Sequence, residues 1–187
     1  MRYFTNIEPL VYLEKQERWE KARELLYKKW INEKTHVNNL IRLLSECWYI
    51  LTNWDNGMNN DPDLSFQTVH NTLIECTAFG LQRFANDQRF LCVAGYMISL
   101  FPYLFYANNP DNSTDALYTE WEQKGIAMLQ KAYEINPTDK VTKVLNLGNS
   151  SNLSSYNEAK IALQPEIEDA FPGETAIELY FKDILSI

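Results

Sequence analysis

Long segments with apolar side chains at three- and four-residue intervals follow one another along this chain of 187 residues. This interval matches the turn of an α-helix, and between Glu14 and Asn32 charged side chains occupy many of the intervening positions. Only 6 Gly and 7 Pro occur, which suits long helices with few breaks rather than a sheet with many tight turns. No segment alternates with the period of a strand. We therefore predict a single all-α domain over residues 1–187.

Capping residues and helix stops divide the chain into about five long helices followed by shorter C-terminal ones. Thr35, Ser65 and Asp87 are expected to cap the second, third and fourth helices, and Asn136-Pro137 is expected to end the fifth. The predicted helices cover residues 14–32, 36–54, 66–85, 88–106, 115–135, 139–147, 156–163 and 174–184. Loops rich in Asn and Asp lie at Asn53–Asp63 and Asn108–Asp115. Long helices joined by short breaks favour antiparallel pairs, stacked as an α-α superhelix.

One segment of the fifth helix, Ala127 to Lys140 (AMLQKAYEINPTDK), resembles the second helix of a tetratricopeptide repeat and its exit. The small, large, small and helix-stop positions of that repeat are matched by Gly125, Leu129, Ala132 and Pro137. The resemblance covers one half-repeat, the first-helix pattern is absent upstream, and no period of about 34 residues runs through the chain. It implies a degenerate, tetratricopeptide-like stack of helix pairs.

The three cysteines and the longest uncharged segment both bear on the cellular compartment. Cys47, Cys76 and Cys92 are odd in number and lie in apolar stretches, which indicates buried free thiols in a reducing compartment. The first residues carry no signal-peptide pattern, so we expect a cytoplasmic protein. Residues 90–110 are uncharged, but Gly95 and Pro102 interrupt them, which favours a buried central helix over a membrane span.

Motifs for catalysis, metal binding and cofactor binding are not found. His36 and His70 have no ligands at zinc spacing, and a calcium loop built around Gly57 would place a Trp at a ligand position. No GxSxG or phosphate-binding glycine loop occurs. A Cys47 or Cys76 thiol paired with a histidine across packed helices is the alternative interpretation, but thiols on apolar faces are inert. We therefore predict a protein that is not an enzyme and needs no metal or cofactor.

The charge points to a protein partner. The net charge of −8 and the pI of about 4.8 disfavour nucleic acid, which is itself anionic, and favour a basic protein surface. Residues 1–110 carry 12 acidic and 11 basic side chains, whereas residues 111–187 carry 13 and 6. No Lys or Arg occurs between Arg42 and Arg83, and six acids share residues 166–183 with one Lys. A charge that serves only solubility is the alternative interpretation.

Two acidic zones are thus predicted to contact the partner, the first with Trp54 and Met58 as apolar anchors. The predicted contact residues are Glu46, Trp54, Asp55, Met58, Asp61, Asp63, Glu166, Glu168, Asp169, Glu174 and Glu178. Two alternatives stay open: Trp54 can belong to the core of a helix pair, and the C-terminal acids can form the polar outer face of a terminal helix.

The chain resembles immunity proteins of bacterial contact-dependent growth inhibition systems in its size, acidity and helical character. The resemblance extends to the segments FANDQRFL (84–91) and GYMISLFPYLF (95–105). The resemblance implies a stoichiometric inhibitor that covers the active site of a cognate, basic toxin domain. Two other classes remain as alternatives. A helical-repeat adaptor or chaperone would bind a peptide in a groove, and a hydrolase would need carboxylates that converge in a pocket. The oligomeric state is left open.

Overall fold

The computed structural model describes residues 1–106, 114–150 and 152–187, and the part of the chain that it describes is helical without strands. The α-helices are α1 (Glu8–Lys15), α2 (Trp19–Asn32), α3 (Val37–Thr52), α4 (Phe66–Arg83), α5 (Gln88–Leu100), α6 (Thr114–Ile135), α7 (Lys140–Leu147), α8 (Leu153–Leu163), α9 (Ile167–Ala170) and α10 (Ala176–Leu185). Short 3-10 turns lie at Trp54–Asn56, Met58–Asn60, Pro102–Phe105 and Gln164–Glu166. The all-α prediction is confirmed.

The predicted first helix is wrong in its boundaries, because two helices replace it. α1 begins earlier than predicted, and Glu17 then takes a left-handed backbone conformation with a φ of 53°, which separates α1 from α2. The amide of Arg18 donates to the carbonyl of Leu13, a bond typical of such helix ends. Residues 14–18 are all polar and include no Gly or Pro, so no helix-breaking residue marks this break.

Other helix ends follow the predicted local chemistry. The Ser65 hydroxyl accepts the amide of Thr68, and the Asp87 carboxylate accepts the amides of Arg89 and Phe90. α6 ends before Asn136-Pro137 as expected. Thr35 is not the cap of α3, because the helix starts after His36, whose side chain makes no capping hydrogen bond.

The structure also bears on the fourth predicted helix and on the second predicted loop. The fourth predicted helix is shorter than expected: α5 stops at Leu100, and the 3-10 turn that Pro102 begins replaces its last turn. The predicted loop Asn108–Asp115 lies largely outside the described residues.

The core is built around α3, in which every residue from Asn39 to Trp48 is buried. Helices α2, α4, α5 and α10 all contact α3. The predicted central helix, α5, is buried over Phe90–Gly95 as well. Cys47, Cys76 and Cys92 are free and buried in this core, as predicted.

Helices α5 and α6 pack backbone to backbone because each has a glycine at the crossing. A Cβ atom on Gly125 would lie 2.5 Å from the amide nitrogen of Ser99 and 2.7 Å from the carbonyl oxygen of Gly95. A Cβ on Gly95 would lie 2.9 Å from the carbonyl oxygen of Gly125. All three separations are shorter than van der Waals contact, so neither position has room for a side chain.

The two ends of the described chain meet. The Tyr3 amide donates to the carbonyl of Ala170 at 3.1 Å, and the rings of Tyr3 and Phe171 stack at 5.5 Å. Phe4 lies against Phe171 and Phe181, and α10 returns to α3. In a repeat array each unit contacts only its neighbours, so this closure differs from an open superhelix. Among the described residues, no helix combines the length and the apolar character needed to cross a membrane.

A candidate protein-binding groove

The first predicted acidic zone is partly structural. Glu46 is 0% exposed and Met58 is 7% exposed, so neither is available to a partner in this conformation. The carboxylate of Asp61 accepts the amide of Glu20, in the first turn of α2, and the amide of Asp63, each at 3.0 Å. Asp61 therefore acts as a helix cap supplied from a distant loop. These positions correct the predicted contact set.

The remaining residues of the first zone are accessible. Asp55 and Asp63 are exposed, and neither makes an ion pair within the described residues. Trp54 is half-buried, and its ring packs edge-on against Phe66 at 5.2 Å. Trp54 thus contributes to the core and shows part of its surface.

The second predicted zone is largely neutralised by lysines, two of which come from outside residues 166–183. Lys15 pairs with Glu174 at 2.9 Å, Lys140 with Glu166 at 2.5 Å, and Lys182 with Glu168 at 2.7 Å. Glu178 is 1% exposed and faces Arg42 in the interior. Of the predicted C-terminal acids, Asp169 alone is exposed without an ion pair in the described part of the chain. The C-terminal zone is therefore not a strongly negative patch.

A groove lies where the C-terminal end of α3 meets α10. It has a volume of about 510 Å³. Its walls are formed by Trp48, Tyr49, Thr52 and Asn53 from α3 and its end, Phe101 after α5, and Ala176, Leu179, Tyr180 and Asp183 from α10. Leu179 is an apolar residue at the lip, with 51% of its surface exposed. The Asp183 carboxylate is the single charged group in this lining, and it is exposed without an ion pair among the described residues.

The aromatic side chains that line the groove pack against one another. Trp48 meets Tyr180 edge-on at 5.3 Å and Phe101 at 5.7 Å. The hydroxyls of Tyr180 and Tyr96 form a hydrogen bond of 2.7 Å behind the groove. Burial raises the pKa of both phenols, so both stay neutral around neutral pH. The groove thus presents preformed aromatic faces rather than a surface that must be ordered on binding.

Behind this wall lies a cluster of buried ionisable groups. Glu14 of α1, Arg42 and Glu46 of α3 and Glu178 of α10 converge there, and each is at most 7% exposed. The amide of Ala176, a residue that lines the groove, donates to Glu14 Oε2 at 2.6 Å. Carboxylates do converge, as a hydrolase would require, but they are sealed from solvent, so a substrate cannot reach them in this conformation.

The histidines and the cysteine thiols do not form a reactive site. His36 is exposed, and His70 Nε2 lies 3.0 Å from the carbonyl oxygen of Leu104. Burial raises the pKa of the Cys47 and Cys76 thiols and brings that of Cys92 to about 12, which makes all three poor nucleophiles. Among the described residues no group of three or more His, Cys, Asp or Glu side chains has the arrangement to hold a metal ion.

The groove was not predicted from the sequence. Trp48 and Tyr180 lie on different helices and have the spacing of core residues, so the contact between a buried Trp48 and a half-buried Tyr180 depends on how α10 docks. Asp183 was recognised as part of the acidic C-terminal segment but not as a contact residue. No family model, curated protein or solved structure matches this chain.

Proposed function

We propose that this protein binds a cationic protein partner in the groove between α3 and α10, as a stoichiometric inhibitor of the immunity type that covers the active site of a basic toxin domain. The observation that carries the proposal is the lining of the groove, in which aromatic walls end at one unpaired carboxylate. The net charge of −8 supports the same choice of partner, because it draws basic proteins toward the molecule.

The groove fits a Lys or Arg side chain presented by the partner. The aliphatic stem of such a side chain can lie along Leu179, and its charged end can reach Asp183. The rings of Tyr49, Phe101 and Tyr180 are half-buried, which leaves aromatic surface for cation–π contact. An acidic side chain in the same place would meet the Asp183 carboxylate without any cation in the lining to compensate it.

The surrounding surface extends this preference beyond one side chain. Asp55 follows Asn53 at the end of the groove and is exposed, and Asp63 lies further along the same loop. Residues 43–82 contain no Lys or Arg, so this segment contributes no cation to the rim. Trp54 adds a half-buried ring beside these carboxylates. A basic surface would therefore find an apolar centre with a negative edge, the usual division of an interface into core and rim.

Site-directed blocking of the groove tests the proposal. The immobilised protein is used to capture partners from its source cell, in parallel with the Leu179→Arg variant. Because Leu179 is exposed at the lip, an arginine there adds bulk and positive charge without disturbing the core. We expect wild-type protein to retain a basic protein that Leu179→Arg fails to retain, with an affinity that decreases as salt increases.

The matched control is Ile161→Arg on α8, where the replaced isoleucine is 62% exposed and lies outside the groove. This variant adds the same charge and should retain the partner. The captured protein is then co-expressed with each variant, and only the variants that bind it should protect the cell if it is a toxin. Capture of no basic protein, or equal capture by Leu179→Arg, would refute the proposal.

A second candidate function, a peptide-binding adaptor or chaperone, is favoured by the same groove, since an extended segment can also lie in it. The two functions differ in what suffices for binding. An adaptor binds the isolated cationic segment almost as tightly as the whole partner. An inhibitor that covers an active site binds the folded domain far more tightly than any short peptide from it, because it contacts a larger surface.

A further inference from the structure

The buried cluster behind the groove leaves several hydrogen-bonding positions unfilled. Glu178 has two hydrogen-bond donors: its carboxylate accepts the Gly173 amide at 2.9 Å and the Thr175 hydroxyl at 2.5 Å. Glu14 Oε2 accepts the Ala176 amide. By contrast, Glu14 Oε1 and both oxygens of Glu46 receive no N–H or O–H donor from the described residues.

The carboxyls of Glu14 and Glu46 nevertheless lie within hydrogen-bonding reach of each other. Two ionised carboxylates contain no donor, so a bond between them requires a proton on one of them. Glu46 is the better proton carrier, because it is fully buried and has no backbone donor, whereas Glu14 faces the Ala176 amide. A protonated Glu46 would supply the donor that Glu14 Oε1 lacks.

The charges in the cluster lead to the same assignment. Arg42 is 1% exposed and is the cation there, with Nη1 at 3.4 Å from Glu178 and its guanidinium 5.0 Å from the centre of the Phe4 ring. With all three carboxyls ionised, the cluster would bury three negative charges against one positive charge. One bound proton reduces this excess, and the remaining charge on Glu14 is stabilised by the Ala176 amide at the N-terminus of α10.

We infer that one proton held between Glu46 and Glu14 is a structural component of the closed groove, and that the departure of α10 from α3 releases this proton to solvent. The inference rests on the proposed function only in that α10 forms a wall of the partner-binding groove. The contacts that link the proton to α10 are the Ala176 amide on Glu14 and the Glu178–Arg42 pair.

The direction of the pH dependence follows from the surroundings of Glu46. Burial is the largest cause that raises its pKa, and the negative charge of Glu14 adds to it, while Arg42 lowers it. Glu178 from α10 and Tyr49 and Cys47 from α3 are the other titratable groups close to this cluster. From α2, Glu20 and Arg23 act on Cys47.

In the open state Glu46 is solvated and loses its proton near the ordinary value for glutamate, about 4.3. Between that pH and its raised pKa in the closed state, the closed form binds one proton more than the open form. The opening equilibrium of α10 should therefore rise about tenfold for each pH unit in this window. The closed groove is most stable at mildly acidic pH, and its opening becomes more favourable as the pH increases.

Amide hydrogen exchange of the free protein tests the inference. We expect protection factors of α10 amides, normalised to intrinsic exchange rates, to fall by about tenfold per pH unit in the wild type. The Glu46→Gln variant keeps the shape and a donor but cannot ionise, so its α10 protection should be independent of pH. Glu120→Gln, which removes an exposed acid of α6, is the control and should behave like the wild type.

Two readouts in the wild type make the test independent of how well Glu46→Gln folds. Protection of the α10 amides should be lower than that of the α6 amides, because α10 opens without unfolding of the whole domain. The side-chain carboxyl carbon of Glu46, followed by NMR, should titrate well above an ordinary glutamate. Titration at the ordinary value, or α10 protection that is independent of pH, would overturn the inference. Since no partner is present, failure here leaves the proposed partner binding untouched, and absence of a partner leaves this result standing.

Discussion

Replacing Gly125 with alanine should destabilise the protein, although alanine is the better helix former. Alanine in place of glycine inside a helix contributes about 1 kcal/mol from backbone entropy. Against this, the new Cβ would lie 2.5 Å from the Ser99 nitrogen and 2.7 Å from the Gly95 oxygen, where about 3.4 Å is needed for an ordinary contact. These are backbone atoms, so no side-chain rotation relieves the clash.

Helices α5 and α6 would therefore have to move apart by nearly 1 Å along a tightly packed crossing. Overpacking of this kind costs about 1–3 kcal/mol, and the upper end applies because two backbone groups are involved. We expect a net loss of about 2 kcal/mol in the free energy of unfolding after the helix-propensity gain is subtracted. For a domain of this size the corresponding decrease in Tm is about 4–8 °C.

Urea denaturation and thermal melting, both followed by circular dichroism, measure this difference. Gly148→Ala is the matched control, because a Cβ there would come no closer than 3.4 Å to the Leu145 oxygen and the backbone is already right-handed. That variant should be unchanged or more stable by a few tenths of a kcal/mol, up to about 1 kcal/mol. A Gly125→Ala protein as stable as the wild type would refute the close crossing of α5 and α6.

Two further outcomes follow from the described contacts. Asp61→Ala should lower the free energy of unfolding by about 1 kcal/mol, because the Glu20 amide at the start of α2 loses its acceptor, whereas Asp63→Ala should change little; urea denaturation distinguishes them. The thiols of Cys47, Cys76 and Cys92 should not react with Ellman's reagent at pH 8 in the folded protein, because burial raises the pKa of each, and all should react after unfolding in guanidinium. Rapid reaction of a native thiol would contradict its burial.

The helices were predictable because the information for them is local. Ser65 and Asp87 cap their helices through amides two or three residues away, and Asn136-Pro137 ends α6 through the geometry of the residue before proline. The break at Glu17 was missed because it has no such local signal. A left-handed backbone conformation is uncommon for a glutamate, and no Gly or Pro marks the position.

The candidate site was less predictable, because charge along the chain does not determine charge in space. The acids of 166–183 were expected to form a negative patch, yet Lys15 pairs with Glu174 across a sequence separation of 159 residues. Glu46 and Glu178 were expected on the surface, and both are buried. Those outcomes depend on long-range docking of α1 and α10 against α3, which no local pattern encodes.

The sequence by itself determined that this chain is all-α, where most of its helices begin and end, and that its cysteines lie in apolar surroundings, since periodicity and capping act within a few residues. Only the tertiary structure decided which acids face solvent, that aromatic side chains of α3 and α10 form a groove, and that Glu14 and Glu46 meet behind it. The physical reason is that burial, ion pairing and shared protons depend on which helix faces pack together, and the same amphipathic helices are compatible with many packings.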